Sequence, residues 1–536
     1  MQTGSIQQLE LVFLLLLLFV AAFGYLAEKF HLPYPIVLVI AGTLLSFVPG
    51  IPKITLNPEL VFFVVLPPLL YSAAWLTSWR EFSFNMVSIL FLAFGLVAFT
   101  VFGVAMGAHW LFPGFDWRMG FVLGAVVATT DALAATTIAR RVGLPKAIVD
   151  ILEGESLVND ASGLVALEFA IALIVSNQVP SITAALGRLA YLIIVGLLVG
   201  LVAGWIVYRV ERLVDNAPIE VVISIFVPYA TYLLAENLHA SGVLSVVACG
   251  LYLSRRSSEF FSPTVRIQAW AVWNSLTYIL NGFVFVVIGL QLPYVLAGIH
   301  EYSIRQLLLY GAGFSILVIL LRLIWIFPGT YLARFIRKRL LHQKLATPRP
   351  AAILIVGWTG MRGVIALAAA IALPTVLENG EPFAQRNLII FLSFSVIFVT
   401  LVLQGLTLPP LVRWLGLADI PVSTEEEDAA RREMLLAALA HLQASRENSG
   451  EAVAEAIEDL AGHYQHRLDA LTGPNQEDRN GAIAHYQSHQ RLLGELLRIE
   501  RQTAVRLRNE DRINDETLRR LEHELDLREA GTLQAT

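Results

Sequence analysis

A single cysteine, Cys249, stands in the whole chain. No intrachain disulfide is available, and the apolar run around that residue makes it a small packed hydrophobe. Charge is scarce as well: 15% of the 536 residues are charged and 56% are hydrophobic. That excludes an ordinary soluble domain and makes an all-α polytopic membrane protein the expected class. No Lys or Arg precedes the first apolar run, so the run reads as a spanning helix rather than a cleaved secretory signal. Catalytic signatures are missing too. There is no His-Glu-x-x-His, no Walker A loop and no Gly-x-Ser-x-Gly elbow, which leaves metalloprotease, ATP-driven pump and hydrolase without a motif. Neither an enzyme nor a cofactor is expected, nothing points to nucleic acid, and an ion gradient remains as the energy source.

What the chain does have is long apolar runs. About thirteen windows reach spanning length, at roughly 9–27, 34–50, 58–76, 85–111, 119–138, 148–176, 187–209, 217–236, 240–254, 268–292, 304–333, 350–374 and 387–412. With the N-terminus outside, the cytoplasmic connections hold sixteen Lys and Arg, from Lys29 and Arg80 to Lys344 and Arg349. The opposite side holds five: Lys53, Arg118, Arg188, Arg305 and Arg386. This positive-inside bias sets the orientation. A lone seventh helix between two sets of six suggests an inverted repeat, an architecture in which broken helices meet near the bilayer midplane. Two runs look broken at equivalent places, Ala128-Thr129-Thr130-Asp131-Ala132 and Gly357-Trp358-Thr359-Gly360-Met361-Arg362-Gly363.

Charge divides the chain in two. Residues 1–416 carry 24 Lys and Arg against 19 Asp and Glu; residues 417–536 carry 14 against 24. The first part is expected to be the transmembrane domain. The second reads as an acidic cytoplasmic tail of two or three amphipathic helices, beginning after Ser423-Thr424 and interrupted near Gly473-Pro474-Asn475, a surface for membrane domain, second tail or cytosolic regulator. Six of the eleven histidines lie there: His441, His463, His466, His485, His489 and His523. They read as solvated helix surface, with pH sensing the sharper alternative.

Glu153-Gly154-Glu155-Ser156-Leu157-Val158-Asn159-Asp160 places three acids early in an apolar run. A carboxylate at membrane depth costs roughly 3 kcal/mol unless paired, hydrated or protonated. Glu155 and Asn159 are four apart, as are Ser156 and Asp160, so carboxylate, amide and hydroxyl oxygens share one side of a helix. Asp131 and the Thr130 carbonyl, at the nearby break, can complete a shell of hard oxygens for a small alkali cation, and protons compete for the same carboxylate. Asp131 has a second reading, as a cap for freed amides. Arg362 is expected to pair with Glu155 or Glu153 and hold the core together. Glu168, two turns past Asp160, either extends the ion path or is paired; Glu236 sits near a helix end; Arg322 snorkels or pairs, with lipid headgroups as one partner. Asn274 and Asn281 fit helix packing and pathway equally.

These motifs resemble the cation:proton antiporter-1 family, the sodium/proton exchangers. The resemblance rests on Thr129-Thr130-Asp131, on residues 153–160 and on Gly360-Met361-Arg362-Gly363. It is extended by Leu66-Pro67-Pro68-Leu69-Leu70-Tyr71 and by Leu234-Ala235-Glu236 with Ser241-Gly242-Val243-Leu244. It implies a homodimer in a bacterial inner membrane, with a dimerisation part and a core part whose broken helices cross beside the ion site. It implies alternating-access exchange of Na⁺, with Li⁺ or K⁺ as alternatives, for H⁺. By motif, Asp160 and Asn159 are the ion-binding pair, Thr130, Asp131, Glu155 and Ser156 join the cation site, and Arg362 stabilises the core. Asn before Asp goes, in the family, with one-for-one electroneutral exchange. Two positions depart: Ser72 stands where many members have an acid, and Ala132 replaces a commoner proline, which suggests a softer break. A cation channel, and a membrane sensor signalling through the tail, are the rival classes.

Overall fold

A computed structural model describes residues 3–49, 56–112, 115–175, 182–299, 302–343, 347–376, 383, 385–418, 425–447, 451–472, 476–510 and 512–533. Lys53, Lys344, Ser423-Thr424 and Gly473-Pro474-Asn475, which carry earlier expectations, lie outside these residues. The chain divides into two compact units, Met1–Ile420 and Pro421–Thr536.

Helices build the first unit: α1 (Thr3–Lys29), α2 (Tyr34–Leu45), α3 (Pro58–Leu76), α4 (Trp79–Leu111), α5 (Trp117–Ala128), α6 (Ala132–Arg141), α7 (Lys146–Val175), α8 (Ile182–Glu211), α9 (Ala217–Asn237), α10 (Gly242–Phe260), α11 (Pro263–Leu290), α12 (Ile304–Arg339), α13 (Pro350–Trp358), α14 (Val364–Ile371) and α15 (Arg386–Trp414). Among the described residues ten helices are long and apolar enough to cross a membrane. Three expected windows differ. Tyr34–Leu45 is short, Gly242–Phe260 is polar toward its end, and 350–374 is two half-helices. Single π-helical turns at Val61–Val65, Phe91–Leu96 and Thr400–Gln404 sit inside α3, α4 and α15, an irregularity frequent at functional places.

Small residues let these helices approach. A Cβ at Gly120 would lie 2.7 Å from the Ala105 backbone, and one at Gly124 would lie 2.8 Å from that of Val101, so α5 packs directly on α4. Apolar surfaces alone do not drive helices together in lipid, so such close contact matters. Two large apolar clusters result among the described residues, beside a small one around Val221, Phe261, Val265 and Ala269. One gathers α2, α5, α6, α12 and α15 with parts of α4 and α11; the other gathers α3, α9 and α10. Helix α7 serves both, with Leu152 in the first and Leu157, Val158 and Ala161 in the second. The acidic motif therefore runs along the seam between them.

Among its described residues the second unit holds four helices, α16 (Glu425–Glu447), α17 (Glu451–Thr472), α18 (Gln476–Asn509) and α19 (Asp515–Leu533), rather than two or three. The break before α19 carries no Gly or Pro; Asn514 makes it by capping, its side chain accepting from Thr517 N at 2.8 Å. Leu435, Leu439 and Leu468 form a small core. His441, His463 and His466 are exposed, while the side chains of His485, His489 and His523 lie outside the described residues.

Candidate functional site

Both broken runs are broken in the structure, and they touch. Helix α5 stops at Ala128; Thr129 (φ −65°, ψ 142°) and Asp131 (φ −92°, ψ 107°) are extended, and α6 begins. Gly363 is extended before α14. Asp131 N donates to Met361 O at 2.8 Å, joining the two linkers. Only glycine fits at position 363, where a Cβ would lie 2.6 Å from the Asp131 Cβ and Oδ2. Ala132 in place of proline has not closed the break.

Four half-helix ends meet at this crossing, and freed backbone groups at such ends need partners. Asp131 Oδ1 accepts from Leu133 N at 2.8 Å and caps α6. The Arg362 guanidinium covers the carbonyl end of α5: Nε donates to Val127 O at 2.9 Å and Nη1 to Gly360 O. Its backbone N donates to Thr400 Oγ1 at 3.1 Å. Arg362 is 1% exposed and spends its hydrogen bonds on carbonyls. The expected ion pair with Glu155 or Glu153 is therefore absent, because each acid has another partner.

Glu155 pairs with Arg322, Nη1 to Oε1 at 2.5 Å and Nη2 to Oε2 at 2.8 Å, with both side chains 1% exposed. Arg322 also donates to Val356 O at 3.0 Å and Gly357 O at 3.2 Å, the open end of α13. Thus α7, α12 and α13 are tied through one guanidinium whose planar fork suits two-point binding of a carboxylate. Lipid headgroups have no part in it. Glu153 pairs with Arg140 at 2.6 Å, and Glu168 with Arg188 at 3.0 Å on an exposed face. Glu236 Oε1 accepts from Gly242 N at 3.3 Å.

On α7 the oxygens converge on the break in α5–α6. Ser156 Oγ donates to Thr130 O at 2.9 Å and accepts from Ala132 N at 3.3 Å. Asn159 Nδ2 donates to Thr130 Oγ1 at 2.5 Å, and Thr130 Oγ1 donates to Glu155 Oε1 at 3.3 Å. Asp160 differs from its neighbours. It is 4% exposed, yet its Oδ1 has no hydrogen-bond partner.

A cavity of about 460 Å³ opens beside this cluster, walled by Thr130, Asp131, Ser156 and Asp160, and Asn274 and Asn281 from α11 also line it. Ser72 also lines it, so no acid stands at that point of the wall. Glu155 and Asn159 are buried behind the wall. The geometry therefore divides the expected set into four residues facing the cavity and two holding them. Arg322 is the residue that sequence reading undervalued. A lone Arg inside a long apolar helix already demands a buried partner, but Glu155 is 167 positions away and no spacing links them.

The model of the transmembrane sodium/hydrogen exchanger family matches residues 14–414. The uncharacterized Na⁺/H⁺ exchanger YjcE of Escherichia coli (strain K12) is 31% identical over 533 residues, covering 94% of this chain and 94% of that protein. The sodium, potassium, lithium and rubidium/H⁺ antiporter of Bacillus subtilis (strain 168) is 34% identical over 407 residues, 74% of this chain and 60% of that protein. Among solved structures, the sodium proton antiporter MjNhaP1 of Methanocaldococcus jannaschii at pH 8 superposes with a TM-score of 0.59 at 19% identity, over 77% of this chain and 98% of its own.

Proposed function

The chain belongs to the transmembrane sodium/hydrogen exchanger family, and on that premise we propose that it exchanges Na⁺ for H⁺ at Asp160 by alternating access. The observation that carries this reading is the unpartnered Asp160 Oδ1, buried at the wall of the 460 Å³ cavity. A desolvated carboxylate without a donor binds either a proton or a cation, and one site that holds only one of them at a time couples their fluxes. Asp131, Ser156 and Thr130 supply further oxygens to the cation, while Asn159 and Glu155 hold Thr130 in place from behind. Arg362 and the Arg322–Glu155 pair neutralise the open helix ends, and Glu153 with Arg140 steadies the cavity rim.

Two inverted six-helix halves are part of this reading, supported by the contact of the two breaks at one point. The reading further takes the protein to be a homodimer in a bacterial inner membrane, surrounded by lipid, with the tail in the cytoplasm. The named substrates of the Bacillus relative put K⁺ and Li⁺ beside Na⁺ as candidate cargo.

The test is reconstitution in vesicles holding a pH gradient, with Na⁺, Li⁺ or K⁺ added in turn to wild type and Asp160→Asn. Gradient collapse that requires Asp160 is the expected result, and its cation ranking gives selectivity. Collapse that survives the substitution removes Asp160 from the site, and no proton movement with any cation removes antiport.

A further inference from the structure

A second hollow, a groove of about 420 Å³, shares no lining residue with the transport cavity. Three helices build it: Leu323 from α12, Leu354 and Trp358 from α13, and Thr407, Pro410, Leu411 and Trp414 from α15. Spacings of three and four put the α15 residues on one face of their helix, and Leu354 with Trp358 on one face of theirs. Trp358 Nε1 donates to Thr407 Oγ1 at 3.0 Å, and that hydroxyl donates in turn to Leu403 O at 2.6 Å. The polar groups at this inner end are thereby used. What they leave is hydrocarbon and indole, a surface for an apolar chain.

The groove has a direction. From Trp358 back to Pro350, and from Thr407 on to Trp414, each helix covers about 10–12 Å toward a common rim. One leaflet of hydrocarbon is about 15 Å thick, so the groove accommodates most of an acyl chain. Its rim is basic. Arg349 precedes Pro350, Arg413 precedes Trp414, and both are exposed. Neither guanidinium has a partner among the described residues. Arg334 of α12 is tied to the segment leading into α13, its Nη2 donating to Thr347 Oγ1 at 2.9 Å while its Nε finds no acceptor. Trp414 is 79% exposed, an indole placed as at a membrane–water boundary.

We propose that this groove binds one anionic phospholipid, with an acyl chain along α13 and α15 and the phosphate at Arg349 and Arg413, supported by Arg334. Basic pockets between helix ends hold such headgroups, and a guanidinium meets a phosphate with two parallel hydrogen bonds. A zwitterionic lipid offers the same chains with less net charge; a free phosphate offers charge and nothing for the groove. Both halves of one molecule are required. The occupant lies along α13, the half-helix whose open end Arg322 covers, and so braces one side of the crossing.

Native mass spectrometry of the purified full-length protein in detergent reads the site, with dioleoylphosphatidylglycerol or dioleoylphosphatidylcholine added. The wild type should bind one phosphatidylglycerol about tenfold more tightly than phosphatidylcholine. Arg349→Gln with Arg413→Gln, both at exposed positions, should erase that preference. Leu411→Trp fills the groove and should weaken both lipids; Leu354→Trp does the same from α13 should the first variant fail to fold. A preference that survives the double substitution overturns the proposal, as does unchanged lipid binding in a folded groove variant. On the wild type, dihexanoylphosphatidylglycerol carries the headgroup on chains too short for the groove, and binding equal to the dioleoyl lipid also overturns it. So does displacement of the dioleoyl lipid by inorganic phosphate alone, which would mark a plain anion site. No arm measures exchange, so failure here and failure of the antiport reading are separate results.

Discussion

At the scale of single residues, the buried charges in this molecule differ in whether they are compensated, and that difference assigns their work. Glu155 and Arg322 compensate each other across two hydrogen bonds. Removing one member leaves the other desolvated and alone, which typically costs about 3–5 kcal/mol, whereas replacing both with apolar residues is often neutral. Arg322→Met should therefore lower the melting temperature sharply, and Arg322→Met with Glu155→Met should recover most of it. A double variant as unstable as the single would mean that the guanidinium matters chiefly for the carbonyls of Val356 and Gly357. Arg362 is compensated only by carbonyls, so Arg362→Ala orphans the end of α5 and should lose stability along with exchange. An inactive variant melting like wild type would give Arg362 a direct part in transport. These partners explain what was and was not legible beforehand. The acids of 153–160 were conspicuous because charge in an apolar run is conspicuous. Arg362 was conspicuous too, but its carbonyl partners leave no mark in a sequence, so an acid was the natural and mistaken choice.

Elements add a second constraint, because Asp131 stands at a helix start and on a cavity wall at once. Capping needs only an acceptor oxygen, whereas binding a cation draws on charge. Asp131→Asn keeps the acceptor and removes the charge. It should melt within about 1 °C of wild type while its half-saturating cation concentration rises about tenfold, a change of about 1.4 kcal/mol. Asp131→Ala should lose about 1 kcal/mol of stability as well. Unchanged cation dependence in the Asn variant would reduce Asp131 to a cap. The crossing itself is tested at Gly363, since Gly363→Ala drives a methyl into Asp131 and should abolish exchange more completely than Asp131→Asn. Both breaks were readable because glycines and polar residues interrupt an apolar period. Their contact was not, since Asp131 N and Met361 O are backbone atoms that any residue supplies. The fourth tail helix escaped notice for a similar reason, as Asn514 makes its turn without Gly or Pro.

For the whole molecule, the question is how many charges cross in one cycle, and the site suggests an answer by elimination. Of the three acids in the cluster, Glu155 is neutralised by Arg322, and Asp131 faces the positive end of α6 while accepting a backbone N–H there. Of these three, only Asp160 combines burial with an oxygen that receives no donor, so the proposed mechanism gives the exchange of proton for cation to it alone. On that proposal a single exchanging carboxyl would carry one proton in one direction and one monovalent cation in the other, and no net charge would move. A transmembrane potential acts on a step only through the charge that the step displaces, about 2.3 kcal/mol per elementary charge per 100 mV. Two protons per cation would thus accelerate or slow the cycle severalfold under a modest potential, while one-for-one exchange would not respond. Vesicles loaded with K⁺ and treated with valinomycin impose such a potential, with Na⁺ as the driven cation. Equal initial rates of proton movement with and without the potential are expected, and a rate that follows its sign would mean that Asp131 also gives up a proton in each turn.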